Sequence, residues 1–285
     1  MKVLVTGFGG QLSTSLSLVK PSDVELITLS KEELNIADRS AVVDKVSAMS
    51  PKWIINAAAY TNVDKAEKEV SLAHSINCDA VSNLASVAEM VGARICHIST
   101  DFIFSGQSST PYPVNAAPDP QNVYGKTKLA GEQAAGSDAL IVRTSWVYSE
   151  VGNNFVKTML NLFAKKVPVR VVADQIGSPT YARNLAETIW SLISLHRRGL
   201  FHYSDSGVAS WYDFAVAISE EAFRLNLLGQ HSEIEPIKTS EFPTPATRPH
   251  YSVLDTTLTS AALGRKPPHW RSSLRQMLKE LQRNG

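Results

Sequence analysis

The N-terminal segment restricts the fold of this chain more than any other. Residues 3–6 are apolar or β-branched and end at the glycine-rich stretch Gly7-Phe8-Gly9-Gly10. Such a run predicts a buried strand of a parallel sheet, and the leucines that follow it have helical spacing. A strand, a glycine-rich turn and a helix are typical of the βαβ unit that holds a dinucleotide pyrophosphate. On the glycines alone, a plain tight turn is the alternative.

Further apolar runs alternate with segments of helical spacing. Strands are predicted at 25–29, 53–55, 93–98 and 140–143. This alternation predicts an α/β fold, a Rossmann-like doubly wound parallel sheet. The chain changes character after residue 150, where the predicted elements are shorter and richer in turns. We therefore predict a dinucleotide-binding domain at 1–150, to which some later segments return, and a smaller C-terminal α/β lobe at 151–285 that mainly binds substrate.

The residues after the second predicted strand bear on the choice of cofactor. An enzyme specific for NAD often places an acidic residue there to hold the ribose 2′-hydroxyl. Here Ser30 and Lys31 follow the strand, and the acidic residues Glu32 and Glu33 come later. A hydroxyl and a cation suit a 2′-phosphate better, so we predict NADPH, with NADH as the second candidate. The alternative for Lys31 is a solvated loop residue.

Small and polar residues follow the next two predicted strands. Ala57, Ala58 and Ala59 come after the third strand, and Thr100 and Asp101 come after the fourth. Open α/β sheets bind ligands at the carboxyl ends of their parallel strands. We therefore predict one crevice at this edge, where a Thr hydroxyl can donate a hydrogen bond to a substrate carbonyl. Ordinary loop chemistry is the alternative for the polar residues.

Tyr124 and Lys128 lie four residues apart in a segment that is predicted to be helical. Residues at this spacing share one face of a helix. A cation near a phenol lowers its pKa from about 10, towards the range useful for general acid catalysis. On spacing alone, a surface helix pair is the alternative. Asn77, in a helix predicted at 72–91, is either a capping or core amide or a residue that organises water near the reaction centre.

The composition excludes several classes of protein. The 285 residues are 44% hydrophobic and 19% charged, with a formal net charge of +1. This balance is that of an ordinary globular protein and offers no basic field for nucleic acid or an anionic membrane. No apolar run approaches the length of a membrane span. Cys78 and Cys96 lie in apolar surroundings and indicate reduced thiols, so we expect a cytoplasmic protein.

Taken together, these motifs resemble the extended short-chain dehydrogenases/reductases, and among them the dTDP-4-dehydrorhamnose reductase group. The resemblance covers nearly the whole chain, and many weak motifs in the same order make a strong signal. The central motifs are Ser99-Thr100-Asp101 and Tyr124-Gly125-x-Thr127-Lys128. The matching segments are 7–12, 56–67, 99–106, 123–132, 143–147, 154–159, 174–180, 211–215 and 248–249.

The resemblance implies NADPH-dependent reduction of the C4 keto group of dTDP-4-dehydro-L-rhamnose, or of a related dTDP-4-keto-6-deoxysugar, for cell-surface polysaccharide biosynthesis. It implies that Tyr124 donates a proton, that Lys128 assists it and holds the cofactor ribose, and that Thr100 hydrogen-bonds the carbonyl oxygen. The implied cofactor-binding residues are Gly7, Gly10, Gln11, Leu12, Ser30, Lys31, Ala57, Ala58, Ala59, Tyr124 and Lys128. The implied substrate-binding residues are Thr61, Thr100, Asp101, Trp146, Asn154, Phe155, Gln175 and Arg248.

Two positions depart from the family pattern. Ser13 stands where a third glycine is usual, which predicts looser helix–strand packing or weaker cofactor binding. Asn35-Ile36 stands where an acidic residue is common near the adenine. Some relatives pair through magnesium-binding carboxylates, but we identify no such cluster and predict no metal site. A monomer or a homodimer is expected.

Three other functions compete with the reductase. A nucleotide-sugar 4,6-dehydratase needs an acidic pair after the Thr, and here Asp101 is followed by Phe102. A 4-epimerase is harder to exclude from residues alone. A branch of the same family binds NADP as a non-catalytic regulatory subunit, against which the presence of Thr100, Tyr124 and Lys128 argues. The stereochemistry of the product at C4 is left open.

Overall fold

A computed structural model of the protein describes residues 1–165 and 167–284. In this part of the chain the main sheet has six parallel strands, and the remaining strands form short pairs. The strands are β1 (Lys2–Thr6), β2 (Glu25–Leu29), β3 (Trp53–Asn56), β4 (Arg94–Thr100), β5 (Leu140–Thr144), β6 (Val147–Tyr148), β7 (Val169–Val172), β8 (Ile176–Gly177), β9 (Thr180–Tyr181), β10 (Gly199–His202), β11 (Ala209–Ser210) and β12 (Ile234–Ile237).

The strand order of the main sheet is β10-β5-β4-β3-β1-β2. The chain pairs β1 with β2 on one side and then crosses to pair β3 with the other side of β1. The turn after β1 therefore lies where the direction of winding reverses, which is the usual ligand site of an open α/β sheet. This topology confirms the predicted doubly wound α/β fold.

The helices cover both faces of the sheet. They are α1 (Gln11–Leu18), α2 (Arg39–Met49), α3 (Val63–Ala66), α4 (Val70–His74), α5 (Ala80–Met90), α6 (Val123–Ala135), α7 (Phe155–Ala164), α8 (Ala182–Ser194), α9 (Trp211–Arg224), α10 (Thr257–Leu263) and α11 (Trp270–Asn284), with 3-10 turns at Asp101–Ile103 and Thr239–Glu241. None of the helices in the described ranges is both long and apolar enough to cross a membrane.

The predicted single helix at 72–91 is wrong in one respect. A π-helical turn, Ser75–Asp79, joins α4 to α5. Within it the buried Asn77 accepts a hydrogen bond from the Tyr60 backbone N–H at 2.9 Å and donates one to the Thr127 hydroxyl at 3.0 Å. Asn77 is therefore a core amide that joins the end of β3 to α6. π-Helical turns are frequent beside functional sites.

Successive strand residues pack into different hydrophobic layers. Val3 and Ile55 belong to the layer under α1 and α8, whereas Leu4 and Ile54 belong to the layer under α2 and α5. Because both faces are covered, the strands carry the nearly continuous apolar runs expected of a buried parallel sheet.

The C-terminal part of the chain has a hydrophobic core of its own. Phe214 of α9 and Leu274 of α11 are fully buried there, together with Val156 of α7. Two later elements belong to the main sheet instead, since β10 pairs with β5 and α8 packs against α1. The C-terminal core lies beside the carboxyl ends of the strands, where Trp211 at the start of α9 reaches the main cavity.

Candidate active site

A cavity of about 1000 Å³ opens at the carboxyl ends of the main strands. It brings together residues from the glycine turn, from the ends of β3, β4 and β5, from α6 and from the C-terminal part. The predicted site residues that line it are Gly7, Gly10, Gln11, Leu12, Lys31, Ala57, Ala58, Ala59, Thr61, Thr100, Asp101, Tyr124, Lys128, Trp146 and Arg248. One space of this size holds most of the predicted cofactor and substrate residues.

The glycine turn leaves bare backbone on the cavity wall. Gly7 has φ +77°, and a Cβ atom there would lie 2.9 Å from the Ala58 backbone. The Ser13 hydroxyl donates to the Gly7 carbonyl at 2.7 Å, and its side chain is buried. Serine at this position therefore ties the turn to α1 by a hydrogen bond, and looser packing or weaker cofactor binding stays a prediction. The turn and the N-terminus of α1 suit a phosphate group.

The two residues predicted to bind a 2′-phosphate, Ser30 and Lys31, follow β2 and lie in different surroundings. Lys31 is exposed and lines the cavity. The Ser30 hydroxyl instead accepts the backbone N–H of Glu33, and Ser30 is not a lining residue. Asn35 and Ile36 do line the cavity. This part of the wall therefore offers the Lys31 ammonium, the Asn35 amide and the apolar Ile36 side chain. Asn35 provides an amide where the family pattern commonly has an acidic residue.

Helix α6 carries Tyr124 and Lys128 and packs unusually close to its neighbours. Asn122 caps the helix by accepting the Gly125 N–H at 2.7 Å. A Cβ atom at Gly125 would lie 2.2 Å from the Phe102 carbonyl oxygen, and one at Gly131 would lie 2.1 Å from the Asn77 carbonyl oxygen. Gly125 therefore lets α6 approach the end of β4, where Thr100 lies, and Gly131 lets it approach the π-helical turn at Asn77.

The charges around Tyr124 differ from the sequence-based prediction. Burial raises the pKa of Tyr124 to about 12; the Asp101 carboxylate acts in the same direction, and the Thr100 hydroxyl partly offsets both. The predicted lowering by Lys128 is wrong, because its Nζ donates to the Ile98 carbonyl at 2.6 Å and lies 3.3 Å from His97 Nε2. Tyr124 is therefore protonated at neutral pH, as a proton donor must be.

Lys128 and Asp101 are both shifted towards neutrality by burial. Burial lowers the pKa of Lys128 to about 8, against the opposing effect of Glu132. Burial also raises the pKa of Asp101 to about 6, although Ser252 and Thr100 stabilise its charged form. Two buried groups that titrate near neutral pH beside one cavity are typical of a catalytic centre.

An aromatic pair, Trp146 and Trp211, also lines the cavity. The rings of Trp146 and Trp211 stack with centroids 3.5 Å apart and planes 7° apart. A Cβ atom at Gly177 would lie 2.6 Å from the Trp146 ring, so only glycine leaves room for it there. Trp146 has φ +47°, a conformation rare for a bulky residue. The packing of this region therefore determines where the indole lies.

Arg248 also lines the cavity, but its guanidinium already has an anionic partner. Its two terminal nitrogens donate to the Asp64 carboxylate at 3.0 and 2.9 Å. This bidentate pair joins the Pro-rich loop at 242–249 to α3. The predicted role in binding a diphosphate would require Arg248 to share or to leave this partner.

Four predicted residues are not among those that line the cavity. Ser30 is hydrogen-bonded in its own turn, and Gln175 donates to the Thr239 hydroxyl. Asn154 caps α7 and donates to Gln11 at 3.0 Å. Phe155 packs on Trp211 and Phe214. Asn154 and Phe155 thus contact residues of the wall rather than the open space.

The prediction missed several lining residues, above all Trp211, Tyr60 and Glu69. The Tyr60 hydroxyl donates to the Glu69 carboxylate at 2.7 Å. Trp211 follows Ser210, which caps α9 through a capping box with Asp213. The Ser-Trp-x-Asp pattern marked a helix start, but only the fold shows that this helix begins at the cavity.

A dinucleotide cofactor fits the residues that the structure brings together. The bare backbone at Gly7, the small side chains Ala57 and Ala58, and the N-terminus of α1 form one continuous wall. For metal ions, the described residues offer a group of ligand atoms on His74, Cys78 and Asp79. These three side chains do not line the cavity, and the absence of a metal stays a prediction.

Comparison with known proteins agrees with this geometry. The family model for the RmlD substrate binding domain matches residues 1–283. The chain is 43% identical to the spore coat polysaccharide biosynthesis protein SpsK of Bacillus subtilis (strain 168), over 98% of this chain and 97% of that protein. It is 39% identical to a dTDP-4-dehydrorhamnose reductase of Aggregatibacter actinomycetemcomitans, over 97% of this chain and 98% of that protein.

A solved structure extends the similarity to three dimensions. The dTDP-4-dehydrorhamnose reductase from Bacillus anthracis str. Ames, in complex with NADP, superimposes with a TM-score of 0.91. The two chains are 38% identical, and the match covers 98% of this chain and 99% of that one.

Proposed function

Since the chain belongs to the RmlD substrate-binding domain family, we propose that it is an NADPH-dependent reductase of a dTDP-4-keto-6-deoxysugar. Its substrate is dTDP-4-dehydro-L-rhamnose, its product is dTDP-L-rhamnose, and the product serves polysaccharide biosynthesis. The observation that carries this proposal is the cavity in which Thr100, Tyr124 and Lys128 lie beside the glycine turn. Full-length relatives that are named as this reductase support it.

Tyr124 is the proton donor in this reaction. A bound NADPH supplies the hydride that reduces the carbonyl carbon. The phenol, whose pKa is raised to about 12 by burial, is protonated at neutral pH and donates to the carbonyl oxygen as negative charge develops there. The Thr100 hydroxyl donates to Asp101 Oδ1 at 3.0 Å; turned to the substrate, it would instead donate to the same oxygen and orient it. After the reaction Tyr124 recovers a proton from solvent.

Lys128 and the glycine turn hold the cofactor. The turn at Gly7 and Gly10 and the N-terminus of α1 take the pyrophosphate, because amide N–H groups and the helix dipole favour anions. The ammonium of Lys128 takes the ribose hydroxyls beside Tyr124. Lys31, at the exposed end of the same wall, takes a 2′-phosphate, and this is the reason to expect NADPH rather than NADH.

The nucleotide sugar occupies the side of the cavity formed by Trp146 and Trp211. Their stacked indoles offer an apolar face for a base or a sugar ring. Arg248 supplies the positive charge for the diphosphate, and Thr61 and Asp101 supply polar contacts. Asn154 and Phe155 act one layer behind, by supporting Gln11 and Trp211. Gln175 donates to Thr239, which does not line the cavity, and its role in substrate binding stays a prediction. The segment 151–285 is therefore proposed as the substrate lobe.

The second candidate function is a non-catalytic regulatory subunit that binds NADP, and one assay distinguishes it from a reductase. Purified protein is mixed with NADPH and dTDP-4-dehydro-L-rhamnose, and NADPH absorbance is followed, with NADH in a parallel series. We expect loss of absorbance only when the sugar is present, and faster loss with NADPH. Binding of NADPH without its consumption would instead favour a regulatory subunit or a different keto sugar. The product at C4 is then identified by NMR.

The cellular location and the state of assembly stay predictions. We propose a cytoplasmic protein, because both its nucleotide-linked substrate and NADPH are cytoplasmic metabolites. A monomer or a homodimer is proposed, and sedimentation of the purified protein distinguishes them.

A further inference from the structure

A buried polar row crosses three neighbouring strands beneath the cavity. Thr6, Asn56 and His97 occupy paired positions on β1, β3 and β4. The Thr6 hydroxyl donates to Asn56 Oδ1 at 2.8 Å, and Asn56 Nδ2 lies 3.2 Å from His97 Nδ1. All three residues are at most 1% exposed. Buried polar side chains persist where their hydrogen bonds are satisfied.

The row ends on Lys128. His97 Nε2 lies 3.3 Å from the Lys128 Nζ atom, and Lys128 is 2% exposed. The same ammonium donates to the Ile98 carbonyl at 2.6 Å. A Cβ atom at Gly131 would lie 3.3 Å from His97 Nε2, so the glycine leaves the imidazole room beside α6. Lys128 is therefore held by two acceptors on β4, one from the backbone and one from a side chain.

The chemistry of the row fixes the tautomer of His97. An ammonium donates hydrogen bonds and accepts none, so Nε2 must present its lone pair to Lys128. A neutral imidazole has one N–H, which places the proton on Nδ1. The structure places Asn56 Nδ2 towards His97 Nδ1 and Asn56 Oδ1 towards Thr6. A proton on Nδ1 therefore requires the flipped amide, with its oxygen facing Nδ1 and its nitrogen facing Thr6, and the two amide atoms are interchangeable by such a flip. Burial and the Lys128 charge hold the pKa of His97 well below 6.5, which keeps the ring neutral.

We propose that His97 is a positioning residue for Lys128, and that as the neutral Nδ1–H tautomer it holds the ammonium against β4. One further titratable group acts on this ammonium, and it has an ion-pair partner of its own. Glu132 lies one turn further along α6 and raises the pKa of Lys128, while Arg143 of β5 is paired with Glu132 at 2.7 Å. Because Glu132 is engaged by Arg143, His97 is the side chain that contacts the ammonium directly.

The contact itself is tested by NMR on the unmodified protein. Long-range ¹H–¹⁵N correlation spectra distinguish a ring nitrogen that carries a proton from one that does not, and His97 is assigned through its backbone. We expect a neutral ring with the proton on Nδ1. A proton on Nε2, or on both nitrogens at neutral pH, overturns the proposal. This measurement does not depend on which reaction the protein catalyses, so it stands apart from the proposed reductase function.

The effect on the reaction rests on the proposed function and is tested with variants. His97→Met removes the acceptor and keeps the bulk, and His97→Gln restores an acceptor near the position of Nε2. We expect His97→Met to reduce kcat/KM for NADPH by roughly 10- to 100-fold, the effect of losing a hydrogen bond to a charged group. The KM for the sugar should change little, and His97→Gln should recover much of the loss.

A pH profile separates positioning from a purely structural role. Loss of the acceptor destabilises the charged form of Lys128, so its pKa falls further below the value of about 8 that burial sets. The alkaline limb of the rate profile should therefore move to lower pH in His97→Met and return in His97→Gln. The matched control is His202→Met, since His202 is equally buried in β10 but contacts Tyr112 and Arg143. A folded His97→Met protein with the unmodified profile, or an equal shift in the control, overturns the proposal.

Discussion

The two sides of the cavity are formed by different kinds of chemical groups. The side proposed for the cofactor consists of the backbone at Gly7 and small residues that directly follow β1 and β3. The side proposed for the sugar consists of large or charged side chains, Trp146, Trp211 and Arg248, from segments far apart in the chain. A wall of backbone needs little more than the right turn, whereas a wall of side chains depends on how distant elements pack. The two sides should therefore respond differently to substitution.

Tyr124→Phe should have the largest effect on turnover, because Tyr124 is the proposed proton donor between the cofactor and the sugar. General acid catalysis typically contributes about 10²- to 10⁴-fold, so kcat should fall by that range. The substitution removes one oxygen and keeps the edge-to-face contact with Phe102, so the melting temperature and the Kd for NADPH should change little. Retained turnover in a folded variant would mean that another group donates the proton.

Gly7→Ala should damage the cofactor side through its backbone. The added Cβ would lie 2.9 Å from Ala58, and an overpacked site costs about 1–3 kcal/mol. Holding a non-glycine residue at φ +77° adds about 1–2 kcal/mol. Part of this cost lowers the melting temperature. We expect the share that falls on binding to be about 1.4–2.8 kcal/mol, which raises the NADPH Kd roughly 10- to 100-fold, since every 1.4 kcal/mol is tenfold.

Gly9→Ala is the matched control for this prediction. Gly9 has φ +88°, but a Cβ atom there meets no other atom within 4 Å. It shares the conformational cost without the clash, so its effect on NADPH binding should be the smaller. Equal effects of the two variants would show that the approach of Gly7 to Ala58 does not shape the site.

The same contrast explains which site residues could be predicted from the sequence alone. The glycine turn, the strand ends at Ala57 and Thr100, and the spacing of Tyr124 and Lys128 are local patterns, and each predicted lining residue there was found on the cavity wall. The shift in the pKa of Tyr124 was predicted with the wrong sign. The pKa of Tyr124 depends on burial and on where the Lys128 ammonium points, and neither follows from a four-residue spacing.

Predictions for the other side depended on contacts between distant segments. Phe155 packs behind the wall, and Gln175 donates to Thr239 away from the lining residues, while Trp211, which was not predicted, forms part of the wall. Arg248 was placed correctly at the cavity, but its pairing with Asp64 joins residues 184 positions apart. A charged residue in a sequence does not reveal its partner, because the loop path that brings the two together is a property of the whole fold.

Trp211→Leu should affect the sugar side alone. Loss of the stacked pair removes about 0.5–1.5 kcal/mol beyond the lost burial of surface, so the KM for the dTDP-sugar should rise up to about tenfold. The KM for NADPH should stay the same. Trp190→Leu is the control, since Trp190 is buried under the sheet and donates to the Leu16 carbonyl. It should lower the melting temperature without changing the sugar KM, and a similar KM change in both variants would refute a direct role for Trp211.

Asp64→Asn should have the smallest effect on stability and the most informative effect on binding. The Arg248 guanidinium holds the pKa of Asp64 below its usual value. A carboxyl whose pKa is lowered on folding stabilises the protein above its unfolded pKa of about 3.9, and that contribution is lost as the pH falls through the folded value. Both side chains are partly exposed, at 25% and 35%, so the pair contributes less than about 1 kcal/mol. Asp64→Asn should lower the free energy of unfolding by no more than this at neutral pH. The difference in stability between the variant and the unmodified protein should disappear at acidic pH.

The consequence for binding depends on what Arg248 does when the sugar nucleotide enters. If it turns to the diphosphate, it must give up the two hydrogen bonds to Asp64, and Asp64→Asn removes the competing charge. The KM for the dTDP-sugar should then fall by a few-fold, to an extent limited by the roughly 1 kcal/mol of an exposed pair. Arg248→Lys, which cannot form the bidentate pair, should raise it. If instead Asp64→Asn raises the KM as Arg248→Lys does, the pair itself holds the Pro-rich loop in place, and Arg248 shapes the sugar side without touching the diphosphate.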